Sequence, residues 1–138
     1  MSEPYSQFET ELQVRPDDID LFQHVHSSRY QDYVLAARYE QMERCYKMSM
    51  EAFIEAGLGW YVKTAHIEYK RALKMGDKFL VRTRIDAFFK RGVKVVFEMV
   101  RCDTGKEICN GYFDYSLIRL ETGRAEIIPD WINEKYAI

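Results

Sequence analysis

Two carboxylates, two imidazoles and two hydroxyls fall inside one short segment of the chain: Asp18, Asp20, His24, His26, Ser27 and Ser28. Carboxylates and imidazoles grouped this closely can exchange protons with water or a substrate near neutral pH. A helical pattern begins directly after them. Ser27 or Ser28 suits the N-cap of that helix, because a serine oxygen accepts a free first-turn N–H. The segment would then hold acid/base groups beside unpaired N–H groups and the positive end of a helix dipole. That setting favours charge developing on a substrate oxygen. Taken one at a time, the same residues suit an ordinary loop and cap, so the case for chemistry rests on their spacing.

The neighbouring elements must position this segment. Met1 to Ser6 is expected to form a loose arm. Phe8 to Val14 alternates apolar and polar residues and reads as a strand, ended by Pro16. After the polar segment, Arg29 to Met48 reads as a long helix. Its polar face carries Arg29, Asp32, Glu40, Glu43 and Lys47; its apolar side carries Tyr30, Val34, Ala37, Cys45 and Met48. Gln31 and Arg38 interrupt the apolar side and need partners if buried. Met50 to Ala56 reads as a short second helix stopped by Gly57. Strands follow over Tyr61–Lys70, Phe79–Phe89, Val93–Met99, Ile108–Leu120 and Ala125–Ile128. Turns fall at Met75-Gly76-Asp77, Lys90-Arg91-Gly92, Asp103-Thr104-Gly105 and Glu121-Thr122-Gly123. Gly92 is expected to supply the positive φ of its hairpin. Pro129 to Tyr136 suits a terminal helical turn. One helix against one curved antiparallel sheet is an α+β layer solution, and the remaining apolar sheet surface calls for a second subunit.

Composition narrows the class. The chain has 138 residues, enough for one domain with a substantial core. A net charge of -2 argues against a general binder of polyanions such as nucleic acid. No apolar run is long enough to span a bilayer, and no signal-peptide core is visible. Cys45, Cys102 and Cys109 are odd in number and lack metal-site spacing, which points to reduced thiols and a cytoplasmic setting.

The spacing Asp18-x-Asp20, then His24-Val25-His26-Ser27, then Tyr30 resembles the D-x-D-x-x-x-H-V-N-N-x-x-Y signature of hot-dog-fold acyl-CoA thioesterases, the group that includes 4-hydroxybenzoyl-CoA thioesterase. The likeness runs from Phe8 to Pro129. It takes in Ala37-Arg38 and the run Ile67-Glu68-Tyr69-Lys70-Arg71-Ala72-Leu73-Lys74-Met75-Gly76-Asp77. Four positions depart from the pattern. His26 and Ser27 replace the paired asparagines, Ala72 stands for the usual proline, and Leu35 stands for an acidic residue.

The resemblance implies a hot-dog fold, a long central helix wrapped by a curved antiparallel sheet. It implies a homodimer with a continuous sheet, in some members paired again into a homotetramer, with active sites at the dimer boundary. The implied reaction is hydrolysis of acyl-CoA to a free acid and CoA, with no metal or redox cofactor. Asp20 carries over as the catalytic carboxylate, as general base toward water or as a nucleophile forming a mixed anhydride; Asp18 is structural. His24 would position that carboxylate or donate to the thioester carbonyl. His26 and Ser27 would line the site through backbone N–H groups acting as an oxyanion hole. Tyr30 would form core or pocket wall, and His66 would face the acyl chain or serve as a core or interface histidine. Lys90, Arg91 and Lys94 would meet the phosphates of CoA.

Two alternatives stay open at this level: an acyl-ACP thioesterase on the same fold, and a non-catalytic acyl-CoA binder. A hot-dog dehydratase is disfavoured, because Leu35 leaves the helix without the acidic residue that pattern needs. Aryl, short, branched and medium acyl chains are all compatible with the sequence.

Overall fold

The computed structural model describes residues 5–137. Its elements in chain order are β1 (Gln7–Gln13), a 3-10 turn (Pro16–Asp18), α1 (Arg29–Arg44), α2 (Met50–Glu55), β2 (Leu58–Tyr69), β3 (Lys78–Phe88), β4 (Gly92–Arg101), β5 (Glu107–Arg119), β6 (Arg124–Ala125) and α3 (Asp130–Tyr136). The strands form one antiparallel sheet in the order β1-β3-β4-β5-β2, with the short β6 added to β5. The long helix α1 packs against this curled sheet, which is the hot-dog arrangement expected above.

Alternation explains the sheet. In β3, Phe79, Val81, Thr83 and Ile85 are buried while Lys78, Arg82, Arg84 and Asp86 are not. The inward set meets α1 in two apolar clusters. Val34, Ala37, Leu73, Phe79, Val81, Phe97, Met99 and Phe113 pack beneath the first half of the helix. Met42, Phe53, Ile85, Val95, Leu117, Ile132 and Tyr136 pack beneath its second half, together with α2 and α3.

Several local expectations are corrected. Helix α1 ends at Arg44, not Met48: Lys47 turns left-handed (φ 60°), and the Tyr46 and Met48 N–H groups fold back onto the Gln41 and Met42 carbonyls. Ser28 occupies the N-cap position with helical φ and ψ and makes no side-chain cap. Capping by a serine oxygen does hold at α2, where Ser49 accepts the Ala52 N–H. Gly92 does not adopt a positive φ. It is needed for closeness instead, since a Cβ there would sit 2.3 Å from the Tyr115 carbonyl oxygen. The expected final strand shrinks to Arg124–Ala125, because Ile128 donates its N–H to the Lys90 carbonyl and leaves the sheet. Of the expected N-terminal arm, Met1–Pro4 lie outside the described residues, and the Tyr5 ring rests on Phe88 at 5.6 Å.

Strand β2 is the outer strand beside β5, and its other edge has no partner among the described residues. Lys63, Thr64, Ala65 and His66 in its middle are all exposed. A long uncovered edge of this kind is a template for a further strand.

Candidate active site

The loop between β1 and α1 folds around its own carboxylates. Pro16 sets the 3-10 turn that delivers Asp18 inward, to 1% exposure. There its Oδ2 accepts the Tyr33 hydroxyl at 2.5 Å and Arg15 Nε at 3.0 Å, and its Oδ1 lies 3.4 Å from Arg29 Nε. Burial by itself would raise the Asp18 pKa. The Tyr33 and Arg15 hydrogen bonds and the charges of Arg15 and Arg29 outweigh it and hold the carboxyl below its ordinary value. Asp18 ties the loop to α1, in keeping with the structural role expected for it.

Asp20 is arranged differently. Its Oδ1 accepts the Phe22 N–H at 2.8 Å and the His24 N–H at 3.2 Å. Among the described residues no hydrogen bond is made to Oδ2. Partial desolvation pushes the Asp20 pKa up, but the two N–H donors and the nearby His26 and His24 rings bring it below the ordinary carboxylate value. Asp20 is therefore an ionised, half-exposed carboxylate with one oxygen held and the other free. The tight turn that aims both N–H groups places Gln23 at φ 67°, a left-handed conformation that costs most residues about 1–2 kcal/mol.

The carboxylate borders a shallow cavity lined by Ile19, Asp20, Leu21, Phe22 and His26. Leu21 is 97% exposed and Phe22 80% exposed. Two large apolar side chains presented to water next to a negative group mark a contact surface.

The structure brings some of the expected site residues together and separates others. Backbone atoms of His24 make the contact with Asp20, through N–H to carboxylate and through a carbonyl that accepts the Asp20 N–H at 2.8 Å. The His26 N–H is already bound to the Asp18 carbonyl at 3.0 Å, so it is not free to stabilise an oxyanion. The Ser27 N–H bonds to none of the described residues, and its carbonyl accepts the Tyr69 hydroxyl at 2.9 Å. Tyr30 is buried; its hydroxyl accepts the Leu73 N–H and its ring meets Tyr69 edge-on. It pins α1 to the chain between β2 and β3.

His66 lies on the other side of the sheet. Its ring stacks on Tyr112 at 5.4 Å, and the Lys94 ammonium sits 4.4 Å over that same Tyr112 ring. Within one chain, then, His66 is turned away from α1 and from Asp20, and stands with Lys94. Lys90 and Arg91 are exposed at the β3–β4 turn. The Lys90 carbonyl accepts the Ile128 N–H and the Arg91 carbonyl the Leu117 N–H, which fixes the turn to the C-terminal segment and to β5.

A second, larger cavity was not read from the sequence. It has a volume of about 440 Å³ and lies between α1, β2, β4, β5 and α3. Its apolar walls include Leu35, Met42, Met50, Val62 and Val93, and Arg38, Trp60, Tyr115 and Tyr136 also line it. The one sequence signal for it is Arg38 itself, a cation inside an apolar helix stripe. The departure at Leu35 falls on its wall.

The architecture is that of a hot-dog protein, and the chain belongs to the thioesterase-like superfamily, whose family model matches residues 14–136. No curated protein matches the chain in sequence. Among solved structures, it is similar to a DHNA-CoA thioesterase from Staphylococcus aureus, with TM-score 0.86 and 19% identity over 94% of this chain and 88% of that one. A 1,4-dihydroxy-2-naphthoyl-CoA thioesterase from Synechocystis superposes with TM-score 0.84 and 18% identity over 95% and 96% of the two chains. A further Staphylococcus aureus protein, solved in complex with CoA, gives 0.84 and 16% over 98% and 84%. At these identities the likeness establishes the fold. Among the described residues no helix is long and apolar enough to cross a membrane, and no group of three or more His, Cys, Asp or Glu is placed to hold a metal ion.

Proposed function

We propose that the protein hydrolyses acyl-CoA thioesters and that Asp20 carries the reaction. The observation behind this reading is the Asp20 carboxylate itself: ionised, clamped through Oδ1 by two N–H groups, and presenting Oδ2 at the rim of a cavity. In that position Oδ2 either removes a proton from water attacking the thioester carbon or attacks that carbon to form a mixed anhydride. The Ser27 N–H and the start of α1 supply the donors closest to a developing oxyanion. His24 fixes the carboxylate through its backbone. Lys90, Arg91 and Lys94 are assigned to the phosphates of CoA, with His66 beside Lys94. Tyr30 supports the pocket from behind.

The acting species is a homodimer formed by pairing β2 with β2. The unpaired, exposed edge of β2 supports this, as do exposed Leu21 and Phe22. Antiparallel pairing about a two-fold axis also makes sense of the separation of the two cavities. Asp20's loop rests on the Tyr69 end of β2, while the apolar cavity lies at its Trp60–Val62 end, roughly 23 Å away along the strand. Two-fold pairing reverses the strand, so the Asp20 of one copy comes to the apolar cavity of the other. A cytoplasmic setting accords with three free cysteines.

The test is release of free thiol from a panel of aryl and aliphatic acyl-CoA thioesters, with the native chain and Asp20→Asn compared in parallel. Turnover in the native chain and its loss in the variant are expected. Equal rates in both would remove Asp20 from its role, and no release from any thioester would remove the activity.

A further inference from the structure

Arg38 sits on the inner side of α1 with 6% of its surface exposed. Its guanidinium carbon lies 5.3 Å over the Tyr46 ring, and among the described residues no carboxylate pairs with it. Arg38 Nη1 is buried without a hydrogen-bond partner. So are Tyr46 OH, Trp60 Nε1, Tyr115 OH and Tyr136 OH. The Tyr46, Tyr115 and Tyr136 hydroxyls lie close enough to act on the guanidinium as neutral dipoles, and Trp60 approaches the Tyr136 hydroxyl, but none of these groups brings a negative charge. The four rings form a continuous wall: Tyr46 to Tyr136 at 4.5 Å, Tyr136 to Trp60 at 6.1 Å, and Trp60 to Tyr115 at 6.4 Å.

Buried polar groups are normally paired, and a buried cation without an anion is rarer still. Arg38 cannot escape by losing its proton. Arg38 Nη1 has no partner and the surrounding N–H and O–H groups offer no anion, and Arg38, Trp60, Tyr115 and Tyr136 line the cavity of about 440 Å³ described above. What they lack is a negatively charged acceptor. Apart from Tyr39, whose hydroxyl is taken by Glu51, the rest of the lining is apolar, so the fitting ligand carries its charge at the end of an apolar stem. The guanidinium fork matches the two oxygens of a carboxylate.

We propose that this cavity is a receptor for a carboxylate at the far end of the acyl group, so that the preferred substrates are mono-thioesters of dicarboxylic acids. The thioester half of that statement rests on the thioesterase reading; the carboxylate receptor rests on Arg38 and its neighbours alone. Arg38 and Tyr115 then determine specificity.

Calorimetric binding to the full-length protein separates the two halves. The probes are N-ethyl adipamate and N-ethyl suberamate, each beside its uncharged partner, N-ethylhexanamide or N-ethyloctanamide. An amide stands in for the thioester, so binding is read without turnover. The native chain should prefer at least one acid over its neutral partner by about 10- to 100-fold, the range expected for a charge-assisted pair in a buried site. Arg38→Gln should abolish the preference, and Tyr115→Phe should reduce it several-fold while leaving the melting temperature near that of the native chain. Equal binding of acid and neutral probes by the native chain, no binding of any probe, or a preference that survives Arg38→Gln would overturn the proposal. If Arg38→Gln does not fold, Tyr115→Phe decides: an unchanged preference counts against the receptor. Thiol release from adipoyl-CoA and hexanoyl-CoA is measured alongside. An acid preference in binding with no thiol release keeps the receptor and ends the thioesterase reading. Thiol release without an acid preference does the reverse.

Discussion

Asp18 and Asp20 are two residues apart in one loop, yet their surroundings differ completely. Asp18 is buried and saturated by a tyrosine and two arginines. Asp20 is half-exposed, held on one oxygen only, and flanked by apolar side chains that face water. Helix α1 repeats the contrast three residues apart. Gln41 is fully buried and satisfied: its Nε2 donates to Thr10 Oγ1 at 2.9 Å, and the Thr83 hydroxyl donates to its Oε1. Arg38 is nearly as buried and its Nη1 is unsatisfied. In each pair one polar group is consumed by the fold and its neighbour is left open. The open member is the one with capacity for chemistry or recognition.

The first way to break this comparison is to neutralise both carboxylates separately. Asp20→Asn should lower thiol release by roughly 10²–10⁴-fold, the usual weight of a positioned base or nucleophile, with little change in thermal melting. Asp18→Asn should do the opposite, lowering stability by about 1–2 kcal/mol, because the Tyr33 hydroxyl loses a charged acceptor while the half-exposed Arg15 and Arg29 are re-solvated. Denaturant melts and thiol release on both variants check the pair. A variant that moved both readouts equally would erase the distinction.

Acid titration sharpens it. Folding lowers the Asp18 pKa, so its contribution to stability is complete above the unfolded value of about 3.9 and is lost as pH falls through the lower folded value. Unfolding curves of the native chain should therefore weaken more steeply below about pH 4 than those of Asp18→Asn. A comparable effect is expected at the satisfied glutamine, where Thr83→Val should cost about 1–2 kcal/mol by stranding Gln41 Oε1. Ser28→Ala should change stability by less than about 0.5 kcal/mol, because Ser28 makes no cap; a loss near 1 kcal/mol would show that it does.

The two contrasts were not equally legible in the sequence. Strand alternation and glycine-marked turns placed every major strand to within a few residues, since those signals are local. The Asp20 loop stood out because its polar residues are contiguous. Which N–H groups Asp20 uses was not visible, nor was the capture of the His26 N–H by Asp18, because both depend on a left-handed turn at Gln23 that no glycine announces. The helix end at Arg44 was missed for the same reason at Lys47. Arg38 was legible only as an oddity. Its cavity is assembled from β2, β5 and α3, whose residues meet through sheet order and helix docking rather than through spacing along the chain. The reason for glycine at position 92 was not legible, since proximity to a carbonyl across the β4–β5 pair leaves no mark in a hairpin motif.

The left-handed backbone at Gln23 has a consequence for engineering. A glycine there would relax the bend and make the folded chain sturdier, by something on the order of 1 kcal/mol. It would also slacken the peptide units that grip Asp20, so a screen that selects only for heat resistance would tend to gather variants at this position that survive warming and work more slowly.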